Sequence, residues 1–172
     1  MPGNSAASAP NVARSHNGNN NIVRGSTMSN DNKQRVQDFW QDVYVNRNYE
    51  AVGKYFAKDG IYEDVPTPGS AAVGPKAVST RLRMGHEPVE SFKHEIARMV
   101  ADGDTVMTEH TETWCFHTGE VVALPFVSVM ELSEGMITLW RDYWDLNTLM
   151  NNVPQWWIEH IMQFSTDDFD KG

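Results

Sequence analysis

The fold is decided by the last extended run of the chain, which reads MITLWRDYWD over residues 136–145. Its alternation of apolar and polar residues is typical of a strand with one buried face. With a period of two, Trp140, Asp142 and Trp144 share a face, so an ionisable carboxyl lies between two indoles. Burying such a charge is costly without a partner or a task. Asp142 is therefore a candidate functional carboxylate; the alternative is a solvent-exposed ion pair with Arg141.

Three further extended runs precede this strand and indicate a meander. They cover residues 92–98, 105–116 and 121–132, and short turns containing Gly, Asp or Glu separate them. Upstream lies a shorter extended piece at residues 61–65. Strands joined by such short turns pair with their neighbours in antiparallel fashion.

Helical spacing dominates the part of the chain before the meander. Apolar residues recur at i, i+3, i+4, i+7 and i+8 from Val36, and Ser29–Asp31 offers a cap for a first helix. The spacing continues from Tyr49 to a break at residues 59–60, and Pro75 opens a third helix. We predict an α+β fold: a cone-shaped, curved, barrel-like antiparallel sheet with N-terminal helices packed on it.

Composition predicts one folded domain with an N-terminal arm. The chain has 172 residues, of which 40% are hydrophobic and 22% charged, as in ordinary globular domains. Residues 1–28 are rich in Asn, Ser, Ala and Gly, and we expect them to be a disordered arm. Residues 29–172 are the predicted domain, ending in an apolar tail from Leu146 that packs as a helix on the domain or across a dimer.

The charge balance narrows the class of partner. A net charge of -9 disfavours binding to nucleic acid or to an anionic membrane and favours a small hydrophobic substrate. Cys115, the one cysteine, cannot form an internal disulfide, and no apolar run has the length of a membrane span or a signal peptide. We expect a cytoplasmic homodimer.

A titratable pair shares the predicted inner face of the run at residues 105–116. His110 and Glu112 alternate there with Trp114. Because imidazole and a buried carboxyl both transfer protons near neutral pH, the pair is a candidate catalytic couple. The alternatives are a hydrogen-bonded couple with a structural role, or an exposed pair if the strand parity is inverted.

Tyr62 and Asp64 share a face of the early extended piece. A tyrosine at this position also suits simple packing with its hydroxyl at the rim of the core. Asp64 precedes residues 65–66, Val-Pro, and also suits a turn. Aromatic side chains on the inner faces complete the candidate substrate-binding set, which comprises Asp64, Trp114, Trp140, Trp144 and Phe126.

The chain resembles the limonene-1,2-epoxide hydrolases within the SnoaL-like superfamily, which has the nuclear-transport-factor-2-like fold. The resemblance covers about residues 31–150, and its strongest carrier is ITLWRDYWDL at residues 137–146. The turn SEG at residues 133–135 and Tyr62 add to it.

The resemblance implies roles for individual residues. Asp142 matches the base that activates water, and Tyr62 matches a residue that holds the water together with an Asn, here Asp64. The family's Arg-x-Asp, in which Arg bridges two carboxylates and Asp protonates the epoxide, is matched by His110-x-Glu112. Three of the family's five polar site residues therefore differ in this chain, at positions 64, 110 and 112. Arginine stays charged, whereas histidine can itself give and take protons.

These substitutions favour acid–base chemistry other than water addition. We expect elimination by a lyase (dehydration or retro-aldol-type cleavage) or isomerisation of a small hydrophobic, hydroxylated or aromatic molecule, carried by Asp142, Glu112, His110 and Tyr62. Epoxide hydrolysis is the alternative, and a non-catalytic ligand-binding dimer is a further one. We expect no cofactor and no metal, because phosphate-loop, dinucleotide and nucleophile-elbow motifs are missing and His94 and His117 lack ligand spacing.

Overall fold

The computed structural model describes the backbone of residues 18–165 and side chains from residue 27 onward. Helix α1 (Gly18–Phe39) runs into a π-helical segment (Trp40–Val45), and a 3₁₀ helix (Tyr49–Lys54) follows. Strands β1 (Phe56–Asp64) and β2 (Ala72–Val73) precede helix α2 (Gly74–His86). The meander consists of β3 (Ser91–Asp102), β4 (Thr105–Cys115), β5 (Val121–Ser133) and β6 (Met136–Trp144). Helices α3 (Leu146–Met150) and α4 (Gln155–Ile161) come last.

One six-stranded sheet organises the domain, in the spatial order β2-β1-β6-β5-β4-β3. The strands from β3 to β6 pair with successive neighbours in antiparallel fashion, as the short turns predicted. Bulges interrupt the register between β1 and β6, between β3 and β4, and between β5 and β6, and such bulges bend a sheet. The predicted α+β class, with a curved sheet and N-terminal helices, is confirmed.

The sheet differs from the expected barrel in two details. Its edges, β2 and β3, do not meet, so the sheet is open. Strand β1 pairs with β6 in parallel, which places Tyr62 opposite Trp140 and Asp64 opposite Asp142. Parallel neighbours need a long connection, and here α2 and the meander supply it.

Two predicted helix boundaries are wrong. Helix α1 begins at Gly18, so residues 18–28 of the predicted arm are helical and the helix crosses the predicted boundary at residue 28; the other arm residues lie outside the described part. Downstream, the helical spacing after Tyr49 yields only the 3₁₀ helix, and extended structure begins at Phe56. Pairing with β6 explains the second difference, since Phe56 lies opposite Ile137 and the Ile137 N–H donates to the Tyr55 carbonyl oxygen at 2.7 Å. In the part of the chain that the structure describes, no helix is long and apolar enough to cross a membrane.

The core lies between the concave face of the sheet and the N-terminal helical layer. Trp40 and Trp140 meet at its centre, with ring centroids 5.3 Å apart. A second apolar cluster lies under the C-terminal helices, where Trp157 of α4 packs against Trp114 and Phe116 of the β4 region. The apolar tail thus covers one end of the concave face and leaves room for a cavity beside it.

Candidate active site

A cavity of about 320 Å³ opens between the concave face of the sheet, α2 and the C-terminal helices. Four of the polar residues predicted from the sequence line it together: Tyr62, Asp64, Glu112 and Asp142. The rest of the wall is largely apolar and includes Leu82, Met84, Leu124, Leu149, Met150, Trp157, Ile161 and Phe164. A few polar groups in an apolar cavity suit a small molecule with one reactive polar centre.

Asp142 lies deep in the sheet and accepts three hydrogen bonds. It is only 2% exposed, and the Ser128 hydroxyl and the Trp140 indole N–H both donate to Oδ1. The Tyr62 hydroxyl lies 3.3 Å from Oδ2. The alternative ion pair does not form, because Arg141 points to the other face and its Nε donates to Glu63 at 2.7 Å.

The environment of Asp142 acts on the pKa of its carboxyl in two opposite directions. Burial raises its pKa well above the usual range, and the negative charge of Asp64 adds to this effect. The hydrogen bonds from Ser128 and Trp140 act in the opposite direction, because they stabilise the ionised form. The charged form of Asp142 therefore depends on the hydrogen bonds that Ser128 and Trp140 donate to it.

Glu112 is as deeply buried as Asp142 but accepts fewer hydrogen bonds. The Trp114 indole donates to Oε2 at 2.6 Å, whereas Oε1 has no hydrogen-bond partner within the described residues. Burial raises the pKa of Glu112 to about 7, although the nearby Tyr44 hydroxyl and the Trp114 indole lower it. A carboxyl with this pKa holds a proton for a large fraction of the time at neutral pH and can deliver it.

Asp64 is tied to helix α2 by a buried ion pair. Arg81 donates to Asp64 Oδ2 through Nε at 3.1 Å and Nη2 at 2.6 Å. The Trp144 indole donates to Oδ1 at 2.7 Å, and the Tyr62 hydroxyl lies 3.2 Å from the same oxygen. Burial would lower the pKa of Arg81, but Asp64 outweighs it and the pKa is raised. Asp64 therefore lines the cavity as a fixed acceptor and is more than a turn residue.

His110 has the predicted inward parity but does not line this cavity. It is buried beneath Phe126, whose ring stacks on the imidazole at 3.6 Å, and its Nε2 lies 2.9 Å from Ser128 Oγ. Burial lowers the pKa of His110 to about 2, with a smaller contribution from His94. The expectation that its imidazole meets the substrate beside Asp142 is wrong, because Phe126 and Ser128 lie in between.

The aromatic candidates separate into two groups. Trp114, Trp144 and Phe126 line the cavity, as expected for substrate-binding residues. Trp140 does not line it: the ring is fully buried, stacks on Tyr62 at 3.8 Å and uses its N–H on Asp142. Trp140, predicted as a substrate-binding residue, therefore lies outside the lining of the cavity and supports two residues that do line it.

Sequence reasoning missed Arg81 and Ser128. Arg81 follows Ala77 and Val78 at helical spacing, on the buried face of α2, and a charge on an apolar face is a detectable signal. Ser128 faces inward among the apolar residues of β5 and lies opposite Asp142 in the register. A buried hydroxyl in an apolar strand is a weaker signal, because its role becomes visible only when Asp142 is known to lie opposite it.

Among the side chains that the structure describes, no cluster of three or more His, Cys, Asp or Glu residues has the geometry to hold a metal ion. Arg81 is already engaged with Asp64. The groups that face the cavity include three carboxyls, two phenols and three indoles, whose chemistry is proton transfer and hydrogen bonding.

Comparison with known families adds to this geometry. A model of the SnoaL-like domain matches residues 36–140, which is more than half of the chain. The chain belongs to the SnoaL-like domain family. The predicted family is thereby confirmed. The match contains Tyr62, Asp64, His110 and Glu112, and it ends two residues before Asp142.

Individual relatives of this SnoaL-like domain include named epoxide hydrolases. It is 34% identical to epoxide hydrolase EphG of Mycobacterium tuberculosis over 108 residues, which are 63% of this chain and 70% of the relative. A solved M. tuberculosis LEH-like epoxide hydrolase superposes with a TM-score of 0.61 at 28% identity, over 72% of this chain and 89% of the other. A protein of ketosteroid isomerase-like fold from Catenulispora acidiphila, with a TM-score of 0.58 at 23% identity over 66% and 87% of the two chains, shares the fold.

Proposed function

We propose that this protein is a cofactor-independent acid–base enzyme that adds water to the epoxide of a small, largely apolar molecule. The observation that carries the proposal is the pair Asp142 and Glu112, which are buried at one cavity with unequal hydrogen bonding. Asp142 accepts from three donors, and two of them, Ser128 and Trp140, oppose the burial that raises its pKa. Burial raises the pKa of Glu112 to about 7. A base and an acid thus face the same space.

Each carboxyl has one task in the proposed reaction. Asp142 takes a proton from a water molecule, whose oxygen attacks a ring carbon of the epoxide. Glu112 gives its proton to the ring oxygen as the carbon–oxygen bond breaks, so no free alkoxide forms. Tyr62 and Asp64 lie beside Asp142 and orient the water. General acid and general base each contribute about 10²–10⁴ in rate.

The relatives support this reaction over the others. Two of them, at 34% and 28% identity, are epoxide hydrolases. The position of His110 beneath Phe126 supports it as well, since an elimination that uses His110 directly needs the imidazole at the substrate.

A second candidate, elimination or isomerisation, is favoured by Asp64. The epoxide hydrolases that the chain resembles have an amide at this position, which can both donate to and accept from a water. Asp64 is a carboxylate held by Arg81 and Trp144, so it only accepts. Asp142 would then take a proton from an O–H or C–H of the substrate, and Glu112 would protonate the departing oxygen or the developing anion.

Burial of the carboxyls argues against a purely ligand-binding role. Asp142 and Glu112 are each exposed by 2% or less, and burial raises the pKa of both. Such an arrangement lowers the stability of the fold at neutral pH, and buried carboxyls with raised pKa values at one cavity are typical of a catalytic site.

Product analysis in oxygen-18 water distinguishes the candidates. We expect one labelled oxygen in a diol formed from a member of a panel of small epoxides. Asp142→Asn and Glu112→Gln should each lower kcat by at least about a hundredfold. Glu131→Gln, on an exposed position of β5, is the matched control and should keep the wild-type rate. Loss of water or formaldehyde from aryl-alkyl alcohols, with no turnover of epoxides, would support the second candidate instead.

A further inference from the structure

A continuous chain of hydrogen bonds leads from Asp142 across the sheet. The Ser128 hydroxyl bonds Asp142 Oδ1, and Ser128 Oγ lies 2.9 Å from His110 Nε2. His110 Nδ1 lies 2.7 Å from His94 Nε2. Each link passes to the neighbouring strand, from β6 through β5 and β4 to β3, which is an edge of the sheet.

The middle of this chain is sealed from water, whereas its far end is not. His110 and Ser128 are at most 1% exposed, and the rings of Trp40 and Phe126 enclose the imidazole of His110. His94 is partly exposed, and its Nδ1 makes no hydrogen bond within the described residues. The chain therefore joins a buried carboxyl at the cavity to a nitrogen of His94 on the edge strand β3.

Both imidazoles are suited to pass a proton without becoming charged. Burial lowers the pKa of His94 to about 4 and that of His110 to about 2, so both rings are neutral near pH 7. A neutral imidazole has one N–H that donates and one bare nitrogen that accepts. A guanidinium in the place of His110 would have donors only and would end the chain.

We propose that Ser128, His110 and His94 form a proton relay between Asp142 and the outer edge of the sheet. The relay rests on the proposed function, because it returns Asp142 to its ionised form after the base has taken a proton. With this relay, Asp142 can lose its proton without exchanging it through the apolar cavity.

The proton transfers balance with every relay group neutral before and after. Protonated Asp142 donates to Ser128 Oγ, and the hydroxyl proton of Ser128 passes to His110 Nε2. The His110 Nδ1 proton passes to His94 Nε2, and the His94 Nδ1 proton leaves to solvent. The chain ends with both rings protonated at Nε2 and with every hydrogen bond directed toward the Asp142 carboxylate, so the two tautomers record the charge of Asp142. Each ring must regain its Nδ1–H form before the relay passes the next proton.

Histidine tautomers therefore test the relay without any substrate. In the full chain labelled with nitrogen-15 histidine, His110 should change from the Nδ1–H to the Nε2–H tautomer as pH rises and Asp142 ionises. Asp142→Asn, whose amide oxygen only accepts, should hold the Nε2–H form throughout. Ser128→Ala should remove the pH response, and an unchanged response in this variant would overturn the relay.

The other titratable groups near the chain need their own control. Asp64, Glu112, Tyr62 and Tyr44 face Asp142 or the cavity, and His86 and Tyr44 lie near His94. Glu112 is the neighbour with a pKa of about 7, so its own ionisation near neutral pH needs to be separated from that of Asp142. Glu112→Gln should preserve the tautomer change, whereas loss of the change in this variant would assign it to Glu112 and overturn the relay.

Chemical rescue tests the relay in turnover. His94→Ala should lower kcat about tenfold or more with KM within twofold, and added imidazole should restore the rate. His117→Ala, in an exposed turn, is the matched control. It should keep the wild-type kcat and should not respond to added imidazole. A wild-type kcat in His94→Ala would remove His94 from the relay. If no epoxide is turned over, the proposed function fails while the tautomer measurement still decides the relay.

Discussion

Glu112 makes the stability of the protein depend on pH. Burial raises its pKa from 4.5 to about 7 in the folded state, so the folded protein binds more protons than the unfolded chain between these values. The free energy of unfolding therefore falls as pH rises across this range. Glu112→Gln keeps an acceptor for the Trp114 indole and carries no charge. We expect the variant to match the wild type near pH 4 and to exceed it at pH 8 by at most about 3 kcal/mol.

Urea unfolding at several pH values measures this difference. Glu131→Gln, which changes an exposed glutamate of β5, is the control and should follow the wild-type curve at every pH. Parallel curves for Glu112→Gln and the wild type would show that Glu112 titrates in the folded protein as it does in the unfolded chain.

At the scale of elements, one buried ion pair joins α2 to β1 in addition to the apolar face of the helix. Arg81 and Asp64 have side chains exposed by only 8% and 13%, whereas Arg83, two residues later on the same helix, is 36% exposed and pairs with Glu50 and Glu87. Removing one partner of a buried pair leaves the other charge uncompensated, but exposed pairs contribute little. We expect Arg81→Gln to cost about 3 kcal/mol and Arg83→Gln to cost less than about 1 kcal/mol.

Chemical denaturation of the two arginine variants provides the measurement. Arg81→Gln should also lower turnover, because Asp64 loses the group that holds it at the cavity. Equal stability of the two variants would mean that α2 is held by its apolar face alone.

At the scale of the whole molecule, the outer face of the sheet remains uncovered within the described residues. Val100, Met107 and Tyr143 are 60%, 43% and 46% exposed there. Val100 lies opposite Met107 in the β3–β4 register, and Tyr143 belongs to β6 of the same sheet. Apolar side chains clustered on one open face are typical of an interface between subunits. We predict a homodimer that forms through this face.

Light scattering at micromolar concentration tests the dimer. Met107→Glu should shift the mass to that of a monomer, because it places a charge in the interface. Val45→Glu changes an exposed apolar residue of the helical layer and should leave the mass of the dimer unchanged. A monomeric mass for the wild type would contradict the prediction.

The sequence by itself determined which residues face inward. Periodicity is a local property, so the alternation along residues 105–116 and 136–145 was sufficient to place Glu112, Trp114 and Asp142 on the concave side. Short turns then required the antiparallel meander, since connections of two residues (β3–β4 and β5–β6) or five (β4–β5) are long enough only for a hairpin. At the turn before β6, Glu134 and Gly135 both have positive φ, as the favoured two-residue hairpin demands.

Only the tertiary structure decided which inward-facing groups meet. The parallel pairing of β1 with β6 brings Asp64 beside Asp142 across 78 positions of sequence, and no local pattern specifies it. The reach of Arg81 to Asp64 and the separation of His110 from the cavity by Phe126 likewise depend on packing between distant elements. Strand parity assigns a face to a side chain, whereas its depth on that face and its hydrogen-bond partners follow from how the layers pack.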